Sequence, residues 1–288
     1  MDAVTGGTIR REARAKINVF LRVLSTREDG YHEIESLVVP ISLADHVVVR
    51  PAEELRVEFE GEPAFSPGGL NLALVAALAL ADACADAAGA LVQIEKRIPV
   101  AGGLGGGSAD AAATLLALNE LWGCEVDAAT LEEIGGRIGS DVPAMLSGVA
   151  VLMGGRGERL APAEVPPLHW VLVRLGFGVR SPDAYRWWDE DGAGTGPDPD
   201  RLLAAATAGD AEALGPLLFN DLERSAVVRH SEIEEATRDL IESGALGAVM
   251  SGSGSSVIGL ARDEAHAREL AAGFDEAEHV VGPPVDAA

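Results

Sequence analysis

Over the first sixty residues apolar positions fall in short runs, not at helical spacing. Ala15–Val23 is apolar and β-branched, and Val47–Arg50 and Arg56–Phe59 are short apolar-polar alternations on either side of Pro51–Leu55. A period of two places alternate side chains on one buried face, so the chain opens as a sheet. Pro67, Gly68 and Gly69 break the pattern, and the Ala- and Leu-rich Asn71–Ala88 predicts a helix ending at Gly89. Leu91–Glu95 returns to strand. A glycine-rich run, Ala101–Ser108, then leads directly into the strongly helical Ala109–Trp122.

Further along, Leu131–Ile138 predicts a helix, Gly139–Pro143 a helix start and Val149–Met153 a strand. Pro162, Pro166 and Pro167 mark a domain boundary, giving domains 1–158 and 159–288. Beyond it, Trp170–Leu175 reads as a strand, Asp189–Asp200 as a Gly, Pro and Asp-rich loop, and Arg201–Glu242 as helix with short interruptions. Val257–Leu260 and Val280–Val281 complete a second sheet. Strands alternate with helices and no repeat is present, so the class is α+β or α/β.

At 288 residues with 48% hydrophobic and 24% charged composition, the chain suits a two-domain globular protein. Its longest apolar stretch, Leu72–Ala81, is broken by Asp82, short of the roughly 20 residues a bilayer span needs. No apolar segment of the export type follows the N-terminus, and a cytoplasmic protein is expected. Cys84 and Cys124 form no metal-ligand spacing and are expected as buried free thiols, and the six histidines show no zinc pairing. A net charge of −24 argues against nucleic-acid binding. An anionic substrate would then need a local positive funnel, and basic residues do cluster at Arg10, Arg11, Arg14 and Lys16, at Lys96 and Arg97, and at Arg156 and Arg159. The chain holds 20 Arg but only two Lys, Lys16 and Lys96, each at a candidate catalytic segment. A compact ammonium and a guanidinium are not interchangeable against phosphate oxygen.

The glycine run carries the most chemistry. Glycines let backbone N–H groups approach phosphate oxygens, and the helix that follows adds its positive end. It is no Walker A loop, since no GK[ST] follows, and no GxSxG elbow, since Asp110 stands at the last glycine position. A flexible linker is the plain alternative, though a strand and Pro99 precede the run and a long helix follows it.

Pro99-Val100-Ala101-Gly102-Gly103-Leu104-Gly105-Gly106-Gly107-Ser108-Ala109-Asp110-Ala111-Ala112 resembles the PxxxGLGGGSxxAA signature of the GHMP kinases. Ala15-Lys16-Ile17-Asn18, Asp29-Gly30-Tyr31-His32-Glu33 and Met250–Ser256 are similar to further segments of the branch whose alcohol substrate carries a diphosphocytidyl group, in isoprenoid precursor synthesis. The resemblance implies a ribosomal-protein-S5-like N-terminal domain, a ferredoxin-like C-terminal domain, and phosphoryl transfer from ATP with Mg²⁺ to a small-molecule alcohol. The chain would act as a monomer or homodimer without nucleic acid or membrane, and no metal-ligating residue is assigned.

Residue by residue, the resemblance makes Asp141 the general base and Lys16 its electrostatic partner. Read without it, Asp141 is a helix N-cap. Pro99 and Gly102–Ser108 would hold the phosphates, with Asn71 and Lys96 near the adenosine, although both suit capping or surface polarity equally well. Tyr31 would stack on the base and His32 hydrogen-bond to it, with Asn18, Ser251, Gly252 and Ser253 on the substrate side. Arg180–Tyr185 departs from the family's Ser-Thr pattern, yet leaves Tyr185 as the opposing aromatic. A GHMP kinase for homoserine, a mevalonate or a sugar, or a non-catalytic nucleotide-binding module, is the alternative. Only the diphosphocytidyl branch has reason to carry Asp29–His32.

Overall fold

A computed structural model describes residues 7–61, 71–192 and 194–284. In chain order the first half holds β1 (Ile9–Thr26), β2 (His32–Pro51), β3 (Arg56–Gly61), α1 (Leu72–Ala83), β4 (Ala90–Lys96), α2 (Gly106–Trp122), α3 (Ala128–Ile138), α4 (Val142–Ser147) and β5 (Val151–Gly155). The second half holds β6 (Arg159–Pro162), β7 (Leu168–Val173), α5 (Ser181–Asp191), α6 (Pro199–Ala208), α7 (Ala211–Leu214), β8 (Phe219–Asn220), α8 (Asp221–Arg229), α9 (Ser231–Glu242), β9 (Gly247–Met250), β10 (Val257–Ala261), α10 (Glu264–Ala271) and β11 (Ala277–Gly282).

The chain forms two compact units interleaved along the sequence. One draws on residues up to Ala15, Leu43–Val100 and Gly105–Gly148; the other on Lys16–Ser42, Ala101–Leu104 and the chain from Val149. In the first, β4 pairs antiparallel with the end of β2 and parallel with β3. Helices α1 to α4 bury Ala76, Ala77, Leu80, Ala111, Ala112, Leu115, Leu118 and Ile134. Half of this set is alanine, whose small side chain lets two helices approach closely.

In the second unit β8, β1, β2, β5 and β6 lie side by side. Here β1 runs parallel to β8, while β2–β5 and β5–β6 are antiparallel. A separate antiparallel sheet, in the order β11-β7-β10-β9, is lined by buried Trp170, Leu172, Ile258 and Leu260.

The fold is two-domain α+β, and four details differ from the sequence expectation. The short strand expected at Val47–Arg50 is the end of a 20-residue strand that starts at His32. Its middle, Leu37–Ile41, is buried on consecutive residues, which removes the period-two signal of a half-exposed strand. The first helix stops at Ala83, not Ala88, with Cys84 as its cap. Cys84 and Cys124 are not free thiols: they form a disulfide with Cα atoms 5.4 Å apart, joining the C-terminal ends of α1 and α2. The 189–200 loop is shorter than read, because α5 runs to Asp191 and α6 begins at Pro199. The break at Pro67–Gly69 lies outside the described residues.

Candidate active site

In the second unit three segments far apart in sequence meet around Gly103. Lys16 lies in β1, where the extended backbone aims its side chain inward with only 5% exposed. Its backbone N–H donates to Leu104 O at 3.0 Å, and its ammonium donates to Gly103 O at 2.9 Å and to Asn18 Oδ1 at 2.5 Å. The other side of the Asn18 amide donates to Ser36 Oγ at 2.8 Å, and the Asn18 backbone N–H meets Ser251 Oγ at 3.3 Å. Ser256 N–H donates to Gly102 O. Gly103 has φ +77, and a Cβ there would fall 1.9 Å from Ser251 O. At Gly252, φ +55, a Cβ would fall 2.7 Å from Gly103 O and 2.9 Å from Lys16 Nζ. Only glycine permits this approach of the two turns. Ser253 is buried beside them and donates to Val179 O at 3.4 Å.

This junction is held from behind by a buried polar group. Asn220 caps α8 through its Oδ1, and its amide nitrogen donates to Met250 O at 2.8 Å and Gly252 O at 2.7 Å. Glu223, one turn later, accepts from Met250 N–H at 3.0 Å. Burial pushes the Glu223 carboxyl up to about 7 against the pull of these hydrogen bonds.

In the first unit the starts of two helices and one interhelical turn converge. Helix α2 begins after Gly105, which has φ +70, and no side chain caps it, whereas Asn71 caps α1 through Leu74 N–H. The first backbone N–H groups of α2 thus remain available, and the helix dipole favours an anion there. Leu72 Cδ1 lies 3.6 Å from an ideal Cβ on Gly107, and an ideal Cβ on Gly139 lies 3.9 Å from Ser108 Oγ. The Gly139–Asp141 turn therefore runs beside Ser108. Asp141 stands at the N-cap position of α4 but makes no side-chain cap hydrogen bond. Asp127, Asp198 and Asp263 do make one at the same position in their helices.

Pro99 follows β4 at the entrance of the glycine run. Lys96 ends β4 and is 5% exposed. Its ammonium donates to Asp45 and, at 2.7 Å, to Asp110. Asp45 also accepts the N–H groups of Arg97 and Ile98. Burial raises the Asp110 carboxyl to about 7, although Lys96 opposes the rise. An ideal Cβ on Gly106 lies 3.6 Å from Lys96 Nζ, so the triad sits under the first residue of α2. It ties the strand before the glycine run to the helix after it.

A third group, again in the second unit, is aromatic. His32 stacks on Tyr185 with centroids 4.8 Å apart, and Tyr31 is half exposed with the Arg156 guanidinium 5.0 Å over its ring. Asp45, Asp189 and the pairing of Asn220 and Glu223 with the Met250–Gly252 turn are what sequence reasoning missed. Asp45 had one signal, a lone carboxylate inside the apolar Ile41–Val49.

A helix start without a side-chain cap, directly after a glycine-rich run, suits the binding of a phosphate group. Residues 71–151 match the GHMP kinases N-terminal domain, and residues 202–279 the GHMP kinases C-terminal domain. A 4-diphosphocytidyl-2-C-methyl-D-erythritol kinase of Symbiobacterium thermophilum is 43% identical over 255 residues, 88% of this chain and 90% of that protein. The same-named protein of Deinococcus radiodurans is 41% identical over 262 residues, covering 90% and 86%. A crystal structure of 4-(cytidine 5'-diphospho)-2C-methyl-D-erythritol kinase superimposes with TM-score 0.81 at 37% identity, over 96% of this chain and 100% of that one. The homoserine kinase of Cytophaga hutchinsonii, at 17% identity and TM-score 0.70, shares the fold. The chain belongs to the GHMP kinases, in the branch of these 4-diphosphocytidyl-2-C-methyl-D-erythritol kinases. It is an enzyme, a small-molecule kinase.

Proposed function

We propose that this enzyme transfers the γ-phosphoryl group of ATP to the 2-hydroxyl of 4-diphosphocytidyl-2-C-methyl-D-erythritol, a step toward isoprenoid precursors. The observation that carries the reading is the junction of Lys16, Asn18, Gly103 and the Ser251–Gly252 turn. Three segments of the kinase signature meet there.

In this reading Asp141 accepts the proton of the 2-hydroxyl as its oxygen attacks the γ-phosphorus. The new O–P bond forms as the bond to the β-phosphate oxygen breaks, and ADP departs with that electron pair. Lys16 offsets charge growing on the reacting oxygens. Gly102–Ser108 bind the phosphates with backbone N–H groups, and Asn71 and Lys96 lie on the nucleotide side, Lys96 acting from beneath the loop through its ion pairs. The Ser108 hydroxyl would suit a contact to phosphate or to Mg²⁺, which, bound with ATP, would offset phosphate charge. Tyr31, His32 and Tyr185 take the cytosine, and Ser251–Ser253 close over the substrate phosphates. The family's division into domains is set at residue 158, between the two matched segments.

Asp141→Asn tests the base. Turnover is expected to fall about 10²- to 10⁴-fold with ATP affinity, measured by equilibrium titration, nearly unchanged. Near-normal turnover would return Asp141 to a helix-start role.

A further inference from the structure

His32 opens β2 with 9% of its surface exposed, and its ring is fixed on three sides. Tyr185 covers one face with 24° between the planes, and Trp188 meets it edge-on at 5.6 Å and 88°. At the third side, His32 Nε2 lies 2.9 Å from Asp189 Oδ1. Thr26 Oγ1 donates to the same oxygen at 3.0 Å. Burial works against the Asp189 charge, but the hydrogen bonds from His32 and Thr26 prevail and hold its carboxyl below the usual range. A carboxylate only accepts, so the proton between the two side chains belongs to His32. A neutral imidazole carries one N–H; with that N–H on Nε2, Nδ1 is a lone pair. Among the described residues no side chain hydrogen-bonds this Nδ1.

We propose that Asp189 sets nucleobase specificity. By holding His32 with its proton on Nε2, it presents Nδ1 as a bare acceptor that matches the exocyclic amino group of cytosine and rejects the carbonyl that uracil carries at that position. Asp189 is a positioning residue, because it acts through His32. The inference rests on the proposed reading in which His32 meets the cytosine ring. It adds a reason why one base is chosen, since an aromatic surface alone accepts any flat ring. A mismatched donor or acceptor at a desolvated site is rejected far more strongly than a missing apolar contact.

The test compares wild type, Asp189→Ala and Asp189→Lys on the cytidine diphosphate and uridine diphosphate esters of the same methylerythritol. The Asp189 side chain is 42% exposed, which leaves room for the longer lysine. An ammonium only donates, so in Asp189→Lys the Nε2 must accept and the proton moves to Nδ1. Wild type is expected to prefer the cytidyl ester. The ratio of kcat/KM values should fall in Asp189→Ala and fall by about tenfold or more in Asp189→Lys. The loss should lie in KM, with kcat at saturating cytidyl ester much less changed.

Nitrogen-15 NMR of labelled histidine reads the tautomer without substrate, with His32→Gln identifying the resonance. Nδ1 is expected bare in wild type and protonated in Asp189→Lys. Equal base preference in all three proteins, or a proton on Nδ1 in wild type, overturns the proposal. A wild type that leaves the cytidyl ester unphosphorylated overturns the underlying reading instead, and the NMR spectrum still decides where the proton sits.

Discussion

Replacing Asn220 by aspartate changes one NH₂ to an oxygen and nothing in shape. The cap of α8 survives, because Oδ1 still accepts from Leu222 N–H. The two donations to Met250 O and Gly252 O are lost, and a second acceptor faces both carbonyls at a residue only 4% exposed. Each buried carbonyl left unpaired costs about 1–3 kcal/mol, so an ionised aspartate costs about 2–6 kcal/mol. Protonation limits the damage, since a carboxylic acid donates one hydrogen bond back. At neutral pH, placing that proton on a carboxyl of ordinary pKa costs about 4 kcal/mol. The folded pKa of this aspartate is therefore raised above its unfolded value, and the native variant holds a proton that the unfolded chain lacks. Its stability relative to wild type should rise as pH falls, by up to about 1.4 kcal/mol per pH unit, leaving about 1 kcal/mol of deficit near pH 4. Urea unfolding of both proteins between about pH 5 and pH 8 measures the difference. A deficit below about 1 kcal/mol at pH 8, or one that does not change with pH, would refute the reasoning.

Glu223 neighbours the same turn and titrates near 7 when folded, as does Asp110, so wild-type stability should decline as pH rises from the ordinary carboxylate range through about 7. Glu223→Gln removes one of the two groups, and its unfolding free energy should gain on wild type as pH rises through that window. An unchanged difference across the window would show that the Glu223 proton is not taken up on folding. The Cys84–Cys124 disulfide closes a separation of 40 residues, for which chain entropy gives about 4 kcal/mol. Paired Cys84→Ser and Cys124→Ser substitutions should lower the unfolding free energy by up to that amount and abolish any effect of reductant. Equal stability of wild type with and without dithiothreitol would argue that the bond does not form.

What was legible in the sequence was local. The glycine run lies between a strand and a long alanine-rich helix, and both announce themselves through composition and period within a dozen residues. The four-residue strands β6 and β9 and the two-residue strand β8 carry no period of their own and exist because a partner strand supplies the hydrogen bonds. The disulfide was invisible for a similar reason: both cysteines sit in apolar surroundings, and only the meeting of two helix ends pairs them. At the site, motif spacing named Lys16 and the Ser251–Ser256 turn, but their junction at Gly103 joins residues 87 and 148 positions apart. Asp45 reaches Lys96 across 51 positions. Asp189 falls in a stretch whose Gly, Pro and Asp content signals a loop, and its pairing with His32 spans 157 positions. Such partners come from tertiary packing, which no window along the chain contains.

The central claim is the reaction itself, and ADP release from Mg-ATP by the purified enzyme tests it most directly. The 4-diphosphocytidyl-2-C-methyl-D-erythritol substrate is offered beside homoserine, mevalonate and galactose under one set of conditions. The account predicts ADP formation in step with phosphorylation of the cytidyl substrate and none above background with the other three. Faster turnover of another alcohol, or no turnover of any, would contradict it.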